Sequence, residues 1–113
     1  MPNYLVQVAY AREGWEALVN QPHDRIEAVR PAIERLGGKI VSAYFAFGDY
    51  DVVLILELPD NVSAAAIAIA FAGGGACKAV HTTPLLSTEE AVAAMRKASQ
   101  SGYRPATSTA RAA

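Results

Sequence analysis

The stretch Lys39–Leu58, KIVSAYFAFGDYDVVLILEL, decides how the chain folds. Two runs rich in β-branched and aromatic residues, Lys39–Phe47 and Tyr50–Leu58, flank Gly48-Asp49, a pair that suits a tight two-residue hairpin. Successive strand side chains point to opposite faces, so Val52, Leu54, Leu56 and Leu58 share one side and Asp51, Val53, Ile55 and Glu57 the other. The first set is a core face. The second is half apolar, where a face meant for water carries more charge. In the preceding strand, the same alternation sets Val41, Ala43, Phe45 and Phe47 against Ile40, Ser42, Tyr44 and Ala46.

Upstream of this hairpin, Gly37-Gly38 stops a helix, because glycine accepts the left-handed backbone of a helix end without penalty. That helix carries Ile26, Val29, Ile33 and Leu36 on one stripe, with Pro22 suited to its first position and Asp24 to its first turn. Pro31 interrupts the pattern, either as a kink or as the true first turn. Tyr4–Ala11, YLVQVAYA, reads as a largely buried strand, while Arg12–Gln21 lacks a clean period and reads as a helical turn or an irregular loop. Downstream, Pro59 ends the hairpin, Asp60 or Asn61 caps a helix over Ala64–Ala72, and Gly73-Gly74-Gly75 closes it. Ala76–Thr83 is a weaker strand ended by Pro84, and Ser87-Thr88-Glu89-Glu90 is a capping box opening a last helix with Ala91, Val92 and Met95. After Ala98 the chain is small, polar and aperiodic, so residues 1–98 read as one domain and 99–113 as a mobile tail.

The order β, α, β, β, α, β, α is α+β and ferredoxin-like, βαββαβ with an extra C-terminal helix. Helices then cover one face of an antiparallel sheet and leave the other bare. The half-apolar strand faces imply that a second subunit packs there, as a homo-oligomer built from a dimer or a multiple of dimers. At 113 residues the chain fits one domain. Its 10 Lys+Arg and 11 Asp+Glu leave a net charge of −1, without the basic excess that nucleic acid or an anionic membrane attracts. Cys77 is the single cysteine, which excludes an internal disulfide and fits a cytoplasmic setting, and no Cys or His spacing calls for a metal. Nothing in the N-terminus or in the length of the apolar runs signals secretion or membrane spanning. No cofactor motif is present either: the Gly73–Gly75 run follows a helix, where a phosphate-binding loop precedes one.

Gly37-Gly38-Lys39, Tyr44, and Phe47-Gly48-Asp49-Tyr50-Asp51-Val52-Val53 resemble the GYD domain family, small bacterial proteins named for the glycine-tyrosine-aspartate signature of their hairpin. The likeness extends over residues 3–92 in layout. It implies a fold similar to the dimeric α/β-barrel group, whose members include cofactor-free oxygenases, isomerases, heme-handling proteins and effector-binding domains. It implies no particular activity. The Ala11–Trp15 loop departs from the polar or threonine-bearing loop more typical after the first strand.

Five residues stand out for chemistry. Asp51 and Tyr50 begin the third strand, where a carboxylate beside a phenol can act as a general base with its hydrogen-bond partner. Alternatively Asp51 accepts backbone N–H groups of the Gly48-Asp49 turn while Tyr50 packs. His81 lies on the fourth strand, and ferredoxin-like order brings Gln7, Asp51 and Tyr44 to the same sheet surface. Three functions follow: an oligomeric module binding a small organic ligand between sheet and partner through Gln7, Tyr44 and Tyr50; a cofactor-independent oxygenase or isomerase using Asp51 and His81; or a purely structural interaction domain.

Overall fold

A computed structural model describes residues 1–107. The elements are β1 (Asn3–Tyr10), α1 (Arg12–Asn20), α2 (Arg25–Arg35), β2 (Lys39–Phe45), β3 (Val52–Glu57), α3 (Asn61–Gly73), β4 (Cys77–Leu85) and α4 (Thr88–Ser99). The strands form one antiparallel sheet in the order β2-β3-β1-β4, the α+β, ferredoxin-like arrangement anticipated above. The expected tail falls partly on residues 108–113, outside the described residues.

The core lies between one sheet face and the helices. Tyr4, Val6 and Val8 of β1 meet Val52, Leu54 and Leu56 of β3 with Leu58, and α2 and α3 close over them with Ile33, Ala64 and Ile67. These positions alternate along each strand, as a sheet buried on one face requires. The Tyr4 hydroxyl donates to Asn61 Oδ1 at 2.7 Å, which ties β1 to the start of α3.

Local chemistry sets the ends. The Asp24 carboxylate accepts the N–H groups of Ile26 and Glu27, so α2 starts at Arg25 and Pro22 lies before it; Pro31 falls inside the helix. Gly37, at φ +83°, adopts the left-handed backbone that ends α2. Arg12–Asn20 is a helix, and a Cβ on its buried Gly14 would collide with the Ala76 carbonyl oxygen. That carbonyl also accepts the Ala11 N–H at 2.8 Å, fixing where β1 hands over to α1. β4 runs through Pro84 to Leu85; as an edge strand it has a side that needs no N–H donor. Ser87 and Glu90 form the reciprocal capping box at 3.0 and 2.9 Å.

Two details of the hairpin differ from the sequence reading. The register of β2 shifts between Ile40 and Ser42, so Val41 is an extra residue, and Ile40 pairs with Leu56 while Ala43 pairs with Leu54. Ile40 therefore packs on the core together with Ala43, not on the face opposite to it. The connection also spans six residues, Ala46–Asp51, closed by the Ala46 N–H on the Asp51 carbonyl at 2.8 Å. Gly48 and Asp49 are thus the middle of a wider loop rather than a two-residue turn, and Gly48 has no left-handed backbone.

Candidate functional site

Residues paired across antiparallel strands project to the same side, so the registers assemble the helix-free sheet face row by row. Tyr44 pairs with Val53, Val53 with Gln7, and Gln7 with His81. These four form one row across the sheet. The next row is Ser42, Ile55, Leu5 and Thr83; the row beyond is Lys39, Glu57, Asn3 and Leu85. Lys39 and Glu57 approach to 3.8 Å at the rim. Leu5, Val53 and Ile55 occupy the centre, half-buried, with no helix over them among the described residues.

Three of the five candidate residues thus share a row. Tyr50 joins them from the loop: its ring lies 5.4 Å from the His81 imidazole, centroid to centroid, at 59° between planes. The loop after β2 therefore reaches across β1 to touch β4. Tyr44 is 68% exposed, and its neighbours Phe45 and Phe47 are exposed as well, Phe47 completely. These exposed aromatics at the β2 end went unremarked in the sequence, where Phe45 and Phe47 read as one alternating face of a longer strand.

Asp51 is placed differently. Its Oδ2 accepts the backbone N–H of Tyr10 at 2.8 Å, its own N–H donates to the Val8 carbonyl at 2.8 Å, and its carbonyl accepts from Ala46. The side chain stands in for a backbone carbonyl where the β1–β3 ladder ends. The bond goes to β1, not to the Gly48-Asp49 segment.

The second unpartnered surface is α4. It holds no buried residue; Val92 and Met95 are exposed, and among the described residues no other element packs extensively on it. An amphipathic helix with a free apolar side is a surface that a partner covers. Among the described residues no group of three or more His, Cys, Asp or Glu side chains is placed to hold a metal ion. No helix among them is long and apolar enough to cross a membrane.

Known proteins fit this layout. The profile of the GYD domain family matches residues 4–95. A curated relative from Thermus thermophilus, the glutamine synthetase and cystathionine beta-lyase binding protein, is 33% identical over 79 residues, covering 69% of this chain and 82% of the relative. With a profile match spanning β1 through most of α4, carrying the Gly48-Asp49-Tyr50-Asp51 loop that brings Tyr50 onto His81, the chain belongs to the GYD domain family.

Proposed function

We propose that the protein is an oligomeric interaction module whose helix-free sheet face packs on a second copy of the chain. One observation carries this reading: Leu5, Val53 and Ile55 form the centre of a sheet face that, among the described residues, no element of the same chain covers. The face has an apolar middle, interrupted by Gln7, and a polar rim of His81, Thr83, Lys39 and Glu57, the composition of a protein interface. In a two-fold arrangement the same patch serves both partners. α4, Phe45, which pairs with Val52 on the opposite side of the sheet, and the loop residue Phe47 then remain for other proteins. The name of the Thermus relative, a binding protein for two enzymes, supports protein partners for this chain too.

A small organic ligand at the edge of that interface is a second reading, favoured by the Tyr44–Gln7–His81 row with Tyr50 tilted against the His81 ring at its end. Such a strip offers a phenol, an amide and an imidazole beside apolar surface. A proton-transfer role would rest on His81, since one Asp51 oxygen is held by the β1 backbone.

The variant Ile55→Asp tests the interface. Losing a buried isoleucine costs about 1.5–3 kcal/mol, and a two-fold interface counts it twice, so the dissociation constant rises at least about a hundredfold. The isolated fold, which leaves Ile55 half-exposed, keeps its circular dichroism spectrum. Unchanged self-association in this variant would overturn the proposal.

A further inference from the structure

A cavity of about 300 Å³ opens between α2 and α3 above the helix-covered side of the sheet, away from the face discussed above. Its floor is Val52 and Leu54 and its walls are Val29 and Phe71. Ala28, Ala32 and Ala70, with no side chain beyond Cβ, leave the space between the helices unfilled. Tyr10, Cys77 and Arg25 are the polar residues of its lining, close enough for the charge of Arg25 to act on the other two. Burial raises the pKa of both Tyr10 and Cys77, the charges of Cys77 and Asp51 add to the rise at Tyr10, and the positive charge of Arg25 opposes the rise at both groups. Among the described residues Arg25 makes no ion pair, and no acidic side chain lines the cavity. A shallower depression that includes Glu13 and His23 shares Arg25 but lacks an apolar floor of strand residues.

We propose that this cavity binds a small monocarboxylate with an apolar body, its chain or ring on Val52, Leu54 and Phe71 and its carboxylate paired with Arg25. The volume suits such a molecule, at the lower end of small-ligand sites. A guanidinium with no protein carboxylate to answer it selects a planar anion, and the Tyr10 hydroxyl adds a donor beside it. An apolar body without an anion would leave Arg25 unanswered; a dicarboxylate would bring its second charge onto the leucine and phenylalanine. The site goes beyond the sheet-face reading and does not depend on it.

Octanoate is the probe and octanamide its uncharged control, with Trp15 fluorescence as the readout, since that indole sits edge-on to Tyr10 at 5.1 Å. Octanoate saturates with a dissociation constant of about 1 mM or tighter, given its roughly ten non-hydrogen atoms. Arg25→Gln, at an exposed position, weakens octanoate about tenfold and leaves octanamide unchanged. Ala32→Leu, which fills the cavity, abolishes both and leaves Ile55→Asp as the variant that still binds. Bound octanoate also slows alkylation of Cys77. Absence of saturation, equal octanoate affinity in Arg25→Gln, or an Ala32→Leu variant that binds as the parent would each overturn the proposal. So would loss of self-association without loss of ligand in Ala32→Leu, which would make the groove a protein contact.

Discussion

Replacing Asp51 by alanine and by asparagine separates its structural role from a chemical one. Alanine leaves the two main-chain bonds of residue 51 in place, to Val8 and Ala46, and removes only the carboxylate that accepts the Tyr10 N–H at 2.8 Å. The donor left behind is half-buried, at the point where the β1–β4 pairing also shifts register, so no neighbouring strand carbonyl takes it over. A hydrogen bond to a charged acceptor contributes about 1.5–3 kcal/mol, and partial access of water to Tyr10 sets the loss in the lower part of that range, about 1.5–2 kcal/mol. Asparagine keeps a carbonyl oxygen at the same reach and loses only the charge, about 0.5–1 kcal/mol. Equilibrium urea unfolding followed by circular dichroism reads both, with the midpoint falling in the order parent, Asp51→Asn, Asp51→Ala at unchanged slope. An Asp51→Ala protein within about 0.5 kcal/mol of the parent, or an asparagine variant as unstable as the alanine one, would refute the reasoning.

Gly14→Ala drives a Cβ into the Ala76 carbonyl and disturbs the Ala11–Ala76 bond beside it; a loss of about 2 kcal/mol or more is expected in the same unfolding assay. Thr82 Oγ1 is buried without a hydrogen-bond partner, so Thr82→Val, which keeps the shape and removes the orphan, raises stability by up to about 1 kcal/mol. Burial pushes the Cys77 thiol up, so at neutral pH it is protonated and reacts with iodoacetamide more slowly than a free thiol does. Because the folded value is raised, its contribution to stability is whole below the ordinary thiol range and is lost as pH rises through the raised value; Cys77→Ala flattens that alkaline decline, to which Tyr10 adds in the same direction at higher pH.

What the residues disclosed follows from whether local rules and long-range packing agree. The period-two pattern of Val52, Leu54, Leu56 and Leu58 is unbroken, and all four are buried. In β2 the same rule misplaces Ile40, because the bulge at Val41 adds a residue that no side-chain pattern announces. Gly48-Asp49 looked like a tight turn, yet β2 and β3 part after the Phe45–Val52 pair, and the Ala46 N–H on the Asp51 carbonyl closes a six-residue loop. α1 escaped because Gly14 and Trp15 answer to tertiary neighbours, Ala76 and Tyr10, rather than to helical period. The Tyr44, Gln7 and His81 row was legible from strand order, since residues directly paired across the sheet must share a face. The contact of Tyr50 with His81 was not, because it depends on the path of a six-residue loop. Nor was the α2–α3 cavity, which arises where alanines on two helices face each other.

Sedimentation equilibrium of the protein across the micromolar range is the direct test of the interface account. A solution mass at or above twice the 11.9 kDa of the chain is predicted, falling toward the single-chain mass in Ile55→Asp. A mass of 11.9 kDa at every concentration would contradict it, leaving Leu5, Val53 and Ile55 facing water.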